Sequence, residues 1–327
     1  MKTCYLLLCG ALITASVAFA QETNDPPVIK PEAYVDYYDQ DKQQKYSEGE
    51  FLLGKKHGTW TYYFENGQVE STGRFEKDLR QGQWKMYYKD GSKWKIGEYL
   101  DDKKHGHWQV FFESGQLLQE GDFEHGKENG LWLSWYQSGA KKDEGSYKHG
   151  VMHGEWKGWF DNGNLNYSGV RKDGAKDGEW TYGYANGKTR EVGSYVDGLK
   201  DGTWSYYYES GTLDFECEYE QGSKDGKCTY YYPHGAKLRQ ETYRMDRLDG
   251  KSRMWSPEGN LVSERNYKNG VPHGKVINYE IDESVVPKAM RNIERVTPDS
   301  SNLEIKIGNI YEGKLDFDIQ RNSIESM

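Results

Sequence analysis

Residues 58–81 read GTWTYYFENGQVESTGRFEKDLRQ, and this block decides the reading of the whole chain because its first glycine returns every 24 residues. Gly58, Gly82, Gly106, Gly130, Gly154, Gly178, Gly202, Gly226, Gly250 and Gly274 keep that spacing without an insertion or deletion. A fixed period of this length marks a repeat architecture, in which each unit is one supersecondary element that buries its face only by stacking on the next. With that glycine as position one, position three is Trp in seven consecutive units: Trp60, Trp84, Trp108, Trp132, Trp156, Trp180 and Trp204. Position seven is aromatic from Phe64 to Tyr232. Position ten is glycine from Gly67 to Gly259, preceded by Asn66, Asp90, Asn162 or Asn186 in four of the units. Asn-Gly and Asp-Gly tolerate the positive φ of two-residue hairpin turns, so each unit is predicted to be a β-hairpin.

A second turn is predicted between units, as in Asp102-Lys103-Lys104-His105-Gly106 or Gly198-Leu199-Lys200-Asp201-Gly202, so that the hairpins follow one another as a meander. A fading first unit spans Tyr34 to His57, and the last strand starts at Gly274 and fades near Ile281. The expected fold is all-β, an elongated single-layer antiparallel meander of about ten 24-residue hairpins, ~90–100 Å long at ~4.8 Å per strand. A C-terminal cap, 282–327, closes it. Within that segment Leu303 to Ile307 and Lys314 to Ile319 alternate with period two and read as a terminal hairpin that protects the open sheet end.

The register is testable inside the sequence. A symmetric turn between units sets position sixteen of one unit against position three of the next, and Gly49, Gly73, Gly97, Gly121, Gly145, Gly169 and Gly193 then face the seven tryptophans in order. An indole across a glycine covers backbone that would otherwise be a weak point in a strand. Where Trp stops, Gly stops, and the same register sets Cys217 against Cys228. Directly opposed antiparallel residues lie within disulfide reach, so a Cys217–Cys228 bond is expected.

The pattern resembles the MORN repeat, in the variant form of YwqK-type antitoxin-like proteins, whose units read roughly Gly-x-Trp-x-x-Tyr-Tyr-x-x-x-Gly followed by a Gly-x-Tyr strand. The resemblance extends over residues 34–281. It implies a single-layer ribbon of hairpins and a non-catalytic module for contact with proteins or lipids.

Composition narrows the function further. The chain has 327 residues and a hydrophobic fraction of 35%, with 27 Tyr, 11 Trp, 10 Phe and 38 Gly. Disordered chains lack aromatics, so disorder is excluded. A net charge of −9 argues against nucleic acid and against anionic membranes, both of which attract positive fields. At the N-terminus, Lys2, the apolar run Tyr5 to Val17, and Ala18-Phe19-Ala20 have the form of a signal peptide. The domain reading is therefore a signal peptide at 1–20, a linker at 21–33, the array at 34–281 and the cap at 282–327, in a protein exported to the periplasm, the cell surface or the medium. Export supplies the oxidant for the disulfide.

No catalytic chemistry emerges. His57, His105, His153 and His273 share one turn position, but at least two units separate them, about 19 Å, and zinc requires its nitrogens at ~2 Å. The aspartates of the same column, Asp177, Asp201, Asp225 and Asp249, fail as a calcium cluster for the same reason. The glycines sit in turns between aromatics, unlike a strand-to-helix phosphate loop. An enzyme and a cofactor are not expected.

The sharper signal is a pair of aromatic columns. Positions three, seven, twelve, sixteen and eighteen are assigned to one self-packed face, including Leu117, Leu165, Leu213 and Leu261. Position six points the other way and carries Tyr63, Tyr87, Phe111, Trp135, Trp159, Tyr207, Tyr231, Trp255 and Tyr279, among polar neighbours such as Lys85, Lys157, Glu120, Glu144 and Arg190. An aromatic row on a polar face offers rigid contact area to a partner. It also has a purely structural use, as cross-strand shielding. The reading favours a protein partner, with a glycan or cell-wall polymer stacked on the rings as the alternative.

Overall fold

The computed structural model describes residues 29–279, so the expected signal peptide at 1–20, most of the 21–33 linker, the last two array residues and the 282–327 cap lie outside the described residues. The described chain is all-β, an open antiparallel meander of hairpin repeats with 22 strands. It divides into two compact units, one of residues 29–92 and 98–103, the other of 93–97 and 104–279. In the first, β1 (Glu32–Tyr37), β2 (Lys45–Leu52), β3 (Lys55–Tyr63), β4 (Val69–Glu76) and β5 (Leu79–Tyr87) pair in chain order. After β6 (Lys93–Leu100), the second unit runs through β7 (Lys103–Phe111), β8 (Leu117–Glu124), β9 (Lys127–Trp135), β10 (Lys141–Lys148), β11 (Val151–Trp159), β12 (Leu165–Lys172) and β13 (Ala175–Gly183). It continues with β14 (Thr189–Val196), β15 (Leu199–Tyr207), β16 (Leu213–Glu220), β17 (Ser223–Tyr231) and β18 (Lys237–Arg244), then β19 (Arg247–Leu248), β20 (Gly250–Trp255), β21 (Leu261–Lys268) and β22 (Val271–Asn278). From β7 onward each strand again pairs with its neighbours in chain order, β18 meeting both β19 and β20.

Glycine under tryptophan organises the core. An added Cβ at Gly49, Gly73, Gly121, Gly145, Gly169 or Gly193 would fall 2.2–2.3 Å from the indole of the next unit's tryptophan, far inside van der Waals contact. The same indoles stand opposite a glycine of their own hairpin on the other side, as Trp60 does to Gly73 and Trp180 to Gly193. Position-eighteen rings pack edge-on between successive tryptophans. Phe75 is 6.1 Å from Trp60 and 5.1 Å from Trp84, and Tyr195 is 6.3 Å from Trp180 and 4.9 Å from Trp204. Lysines close this layer from above: Lys56, Lys104, Lys176 and Lys200 lie 4.4, 4.7, 5.1 and 4.0 Å over Trp60, Trp108, Trp180 and Trp204. A one-layer sheet thus buries tryptophans to 8% exposure or less with lysine stems rather than with a second layer.

Two features of the meander differ from the sequence reading, and both come from turns. The turn between units is shorter than expected. Leu52 pairs with Lys55, so the loop is only Leu53-Gly54, with φ of 53° and 74°, and Asp101-Asp102 repeats it with 50° and 64°. The His/Asp column is therefore not in a turn: His57 and its counterparts sit in strands, beside a bulge, except Asp249, which lies between β19 and β20. Glu48 pairs with Thr61 and Glu50 with His57, so two more residues are spent on one strand than on the other, and Gly58 takes a φ of 67° to absorb them. This bulge leaves the position-seventeen carbonyl turned toward the indole. Trp60, Trp84, Trp132, Trp180 and Trp204 donate Nε1–H to the carbonyls of Glu50, Arg74, Asp122, Val170 and Ser194 at 2.9–3.3 Å.

Within a hairpin the loop is longer than two residues. The Phe64 carbonyl accepts from Gly67 N at 2.9 Å and Phe64 N donates to the Gln68 carbonyl at 2.8 Å, giving a three-residue loop, Glu65-Asn66-Gly67, with Gly67 at φ 82°. That is a type I turn closed by a glycine bulge. Position seven opens this loop instead of lying in a strand. Its hydroxyls staple units together: Tyr136, Tyr184, Tyr208 and Tyr232 donate to the carbonyls of Trp159, Tyr207, Tyr231 and Trp255 at 2.7–3.0 Å. The loop asparagines do likewise, Asn66 to the Lys89 carbonyl and Asn186 to that of Glu209.

Where the tryptophans end, Trp204 stands opposite Cys217, and Cys217 opposite Cys228. The two sulfurs are bonded, with Cα atoms 4.1 Å apart and both residues fully buried.

Candidate functional site

Position six is the last residue of the first strand in each hairpin. Tyr63, Tyr87, Phe111, Trp135, Trp159, Tyr207, Tyr231 and Trp255 close β3, β5, β7, β9, β11, β15, β17 and β20 in turn. Alternation along the strand from position three, a buried tryptophan in the first six of these hairpins and Cys228 or Ser252 in the last two, sends each ring to the opposite face. All eight are half-buried, while Tyr279, beyond the edge strand, is 41% exposed. Gly183 closes β13 and interrupts the row; an added Cβ there would meet the Leu165 carbonyl at 2.0 Å, so that hairpin has no room for a ring.

Position twelve belongs to this face, which corrects its assignment to the tryptophan side. Leu117 pairs with Phe111, Leu165 with Trp159, Leu213 with Tyr207 and Leu261 with Trp255. The cause is one unpaired residue per hairpin: Tyr62 pairs with Ser71 but Tyr63 with Val69, leaving Glu70 as a bulge that reverses the parity of everything before it in the second strand. Position fifteen, opposite position four, shares the face as well. Tyr63 donates its hydroxyl to Glu48, and Tyr231 donates to Glu216 at 3.1 Å, so a carboxylate of one unit meets a ring of the next. Burial and then the Glu48 carboxylate push the Tyr63 phenol up to about 12; burial and Glu216 raise Tyr231 in the same direction. Glu48 is held below the ordinary glutamate range by its hydrogen bonds from Lys45 and Tyr63.

In the first compact unit a shallow depression lies between two rings, lined by Thr61, Tyr63, Gln68, Val69, Thr72 and Tyr87. In the second, a polar depression is lined by Glu216, Cys217, Glu218, Lys227, Thr229 and Gln240, beside the disulfide. Among the described residues no three His, Cys, Asp or Glu side chains converge as metal ligands. The carboxylates that meet the rings were not singled out as ligand groups from sequence, although their recurrence at position fifteen (Glu48, Glu120, Glu144, Glu216, Glu264) was available as a signal.

Residues 56–77, 80–101, 104–125, 152–173, 200–221 and 248–269 match the MORN repeat variant family. The intervening hairpins, such as β9–β10 and β13–β14, fold with the same pairing. No curated protein matches the chain. Among solved structures, one titled "Crystal Structure of TcdB2-TccC3-Cdc42" is 10% identical at a TM-score of 0.18, over 72% of this chain and 14% of that one.

Proposed function

We propose that this run of MORN-variant repeats, of the YwqK type, is a non-catalytic, exported binding or scaffolding surface whose partner is another protein. The observation that carries the reading is the position-six row: half-buried rings, each ending a strand and most of them paired with a leucine, valine or lysine of position twelve, on a face that also carries hydroxyl, amide and carboxylate groups. Rings fixed at strand ends lose little entropy on binding and supply most of the energy of typical protein contacts. Export follows from the signal-like segment at 1–20. Replacing Trp135 and Trp159 by alanine tests the reading, with capture of the cross-linked partner from the native exported fraction as readout. Loss of capture with strand content intact is the expected result; undiminished capture refutes it.

A glycan or cell-wall polymer is the second reading. It is favoured by the depression between Tyr63 and Tyr87, where two rings flank the hydroxyls of Thr61 and Thr72 and the amide of Gln68. Retention on polysaccharide beads, lost in Tyr63→Ala with Tyr87→Ala, separates it from the first.

A further inference from the structure

Lys141 shows what the position-six face can hold. Its Nζ lies 2.8 Å from Glu144 Oε2 and 5.4 Å from the centroid of Trp159. A position-twelve lysine thus sits between the position-fifteen carboxylate of its own unit and the position-six ring of the next. Lys45 repeats the carboxylate half, 2.6 Å from Glu48, which also accepts the Tyr63 hydroxyl. Lys237 repeats the ring half, 5.9 Å from Trp255.

In three other hairpins the carboxylate and the ring remain but leucine replaces the lysine: Leu117 with Glu120 and Trp135, Leu213 with Glu216 and Tyr231, and Leu261 with Glu264 and Tyr279, where Lys251 and Arg253 already pair with Glu264. Glu216 accepts the Tyr231 hydroxyl at 3.1 Å, and Glu218, two residues on, accepts Lys227 N at 2.9 Å; among the described residues neither carboxylate is in an ion pair. Glu120 accepts from Gln109 Nε2 at 3.0 Å and is 3.3 Å from Nε2 of the exposed His107; among the described residues it is in no ion pair with a lysine or arginine.

We propose that the Leu117–Glu120–Trp135 and Leu213–Glu216–Tyr231 cradles each take a lysine or arginine side chain from a basic segment of the partner protein, in the place Lys141 fills within the chain. The inference rests on the protein-partner reading above and names that partner's chemistry. Each cradle offers a ring for cation–π contact, a carboxylate for the charge and a leucine for the aliphatic stem. A net charge of −9 steers basic partners toward the surface. One carboxylate beside a ring is a poor site for a hard metal ion, which takes six or more oxygens.

The test is fluorescence anisotropy of labelled octalysine on the purified mature protein, with fully acetylated octalysine and spermine as competitors. Leu117→Lys with Leu213→Lys fills both cradles from within. Gln137→Lys with Ala185→Lys adds the same two charges at exposed loop positions. The cradle pair is expected to weaken octalysine at least ~10-fold and the control pair under ~3-fold, since cation–π and carboxylate contacts are local whereas added net charge acts weakly in salt. Glu120→Gln with Glu216→Gln, which keeps side-chain shape, should weaken it as much as the lysine pair. Equal losses in the cradle and control pairs, no effect of the glutamine pair, or spermine binding more tightly than octalysine would each overturn the proposal. If octalysine fails to bind while partner capture still depends on Trp135 and Trp159, the basic-segment inference falls and the protein-partner reading stands; if capture is also independent of those rings, the reading itself falls.

Discussion

Gly193→Ala is the substitution that most directly probes the glycine–tryptophan layer. The new Cβ would lie 2.3 Å from Trp204 Cδ2 and 2.5 Å from Cε2, so the indole must move by more than 1 Å to reach an ordinary contact of ~3.5 Å. Trp204 has no free space: it is fully buried, its Nε1 donates to the Ser194 carbonyl at 2.9 Å, Tyr195 packs at 4.9 Å and Lys200 sits 4.0 Å above it. Losing the hydrogen bond costs ~1 kcal/mol and the edge-on ring contact ~0.5–1.5 kcal/mol, and overpacking adds ~1–3 kcal/mol. Replacing a strand glycine by alanine returns ~0.5–1 kcal/mol, leaving a net loss of about 1.5–5 kcal/mol. Trp204→Ala alone should cost ~3–5 kcal/mol, and the double variant should cost no more than Trp204→Ala, because the added methyl group then has nothing to strike. Hydrogen exchange of β14 and β15 amides is the suitable assay, since a repeat array need not unfold in two states. Unchanged exchange in Gly193→Ala, or additive losses in the double variant, would refute the reasoning.

Trp132→Ala should lower the thermal midpoint, while Trp135→Ala, on the half-buried face three residues later, should cost ~2 kcal/mol less; circular dichroism melts compare them, and equal losses would contradict the two-face assignment. Cys217 and Cys228 should give no labelling by a maleimide on denatured, unreduced mature protein and two labels after reduction. Alkaline pH should destabilise the array. Tyr63 has a folded phenol pKa of about 12 against an ordinary value of 10.0, so its contribution is complete below pH 10 and is lost as pH rises through 12. Tyrosinate absorbance should therefore lag behind that of free tyrosine until the strands melt, and a titration with every phenol at the free value would contradict the half-buried Tyr–Glu contacts.

The period, the hairpin unit and the Gly–Trp and Cys217–Cys228 registers were legible in the sequence because each leaves a compositional trace: a glycine is required wherever an indole must lie on the backbone. What escaped was the effect of bulges. Counting by twos back along the second strand from Gly73 to Val69, or from Gly121 to Leu117, crosses Glu70 or its equivalent, and one unpaired residue is enough to move a whole column to the other face. The loops misled for a related reason. Asn66-Gly67 carries the residues of a two-residue turn but forms the end of a three-residue loop, whereas the true two-residue turn is occupied by pairs as dissimilar as Leu53-Gly54 and Asp101-Asp102. Backbone conformation there is set by the pairing on either side more than by the turn residues themselves. The Glu–ring contacts were hidden because they join residues fifteen apart across a bulged register, a separation that no periodicity in one strand reveals.

Site-specific photo-cross-linking tests the central claim most directly. A benzophenone side chain placed at Trp135 or Tyr207, on the position-six face, should yield adducts with one protein from the native exported fraction. The same group at Tyr206, the neighbouring residue on the tryptophan face, should yield none. Adducts of equal strength from both faces, or from Tyr206 alone, would contradict the account.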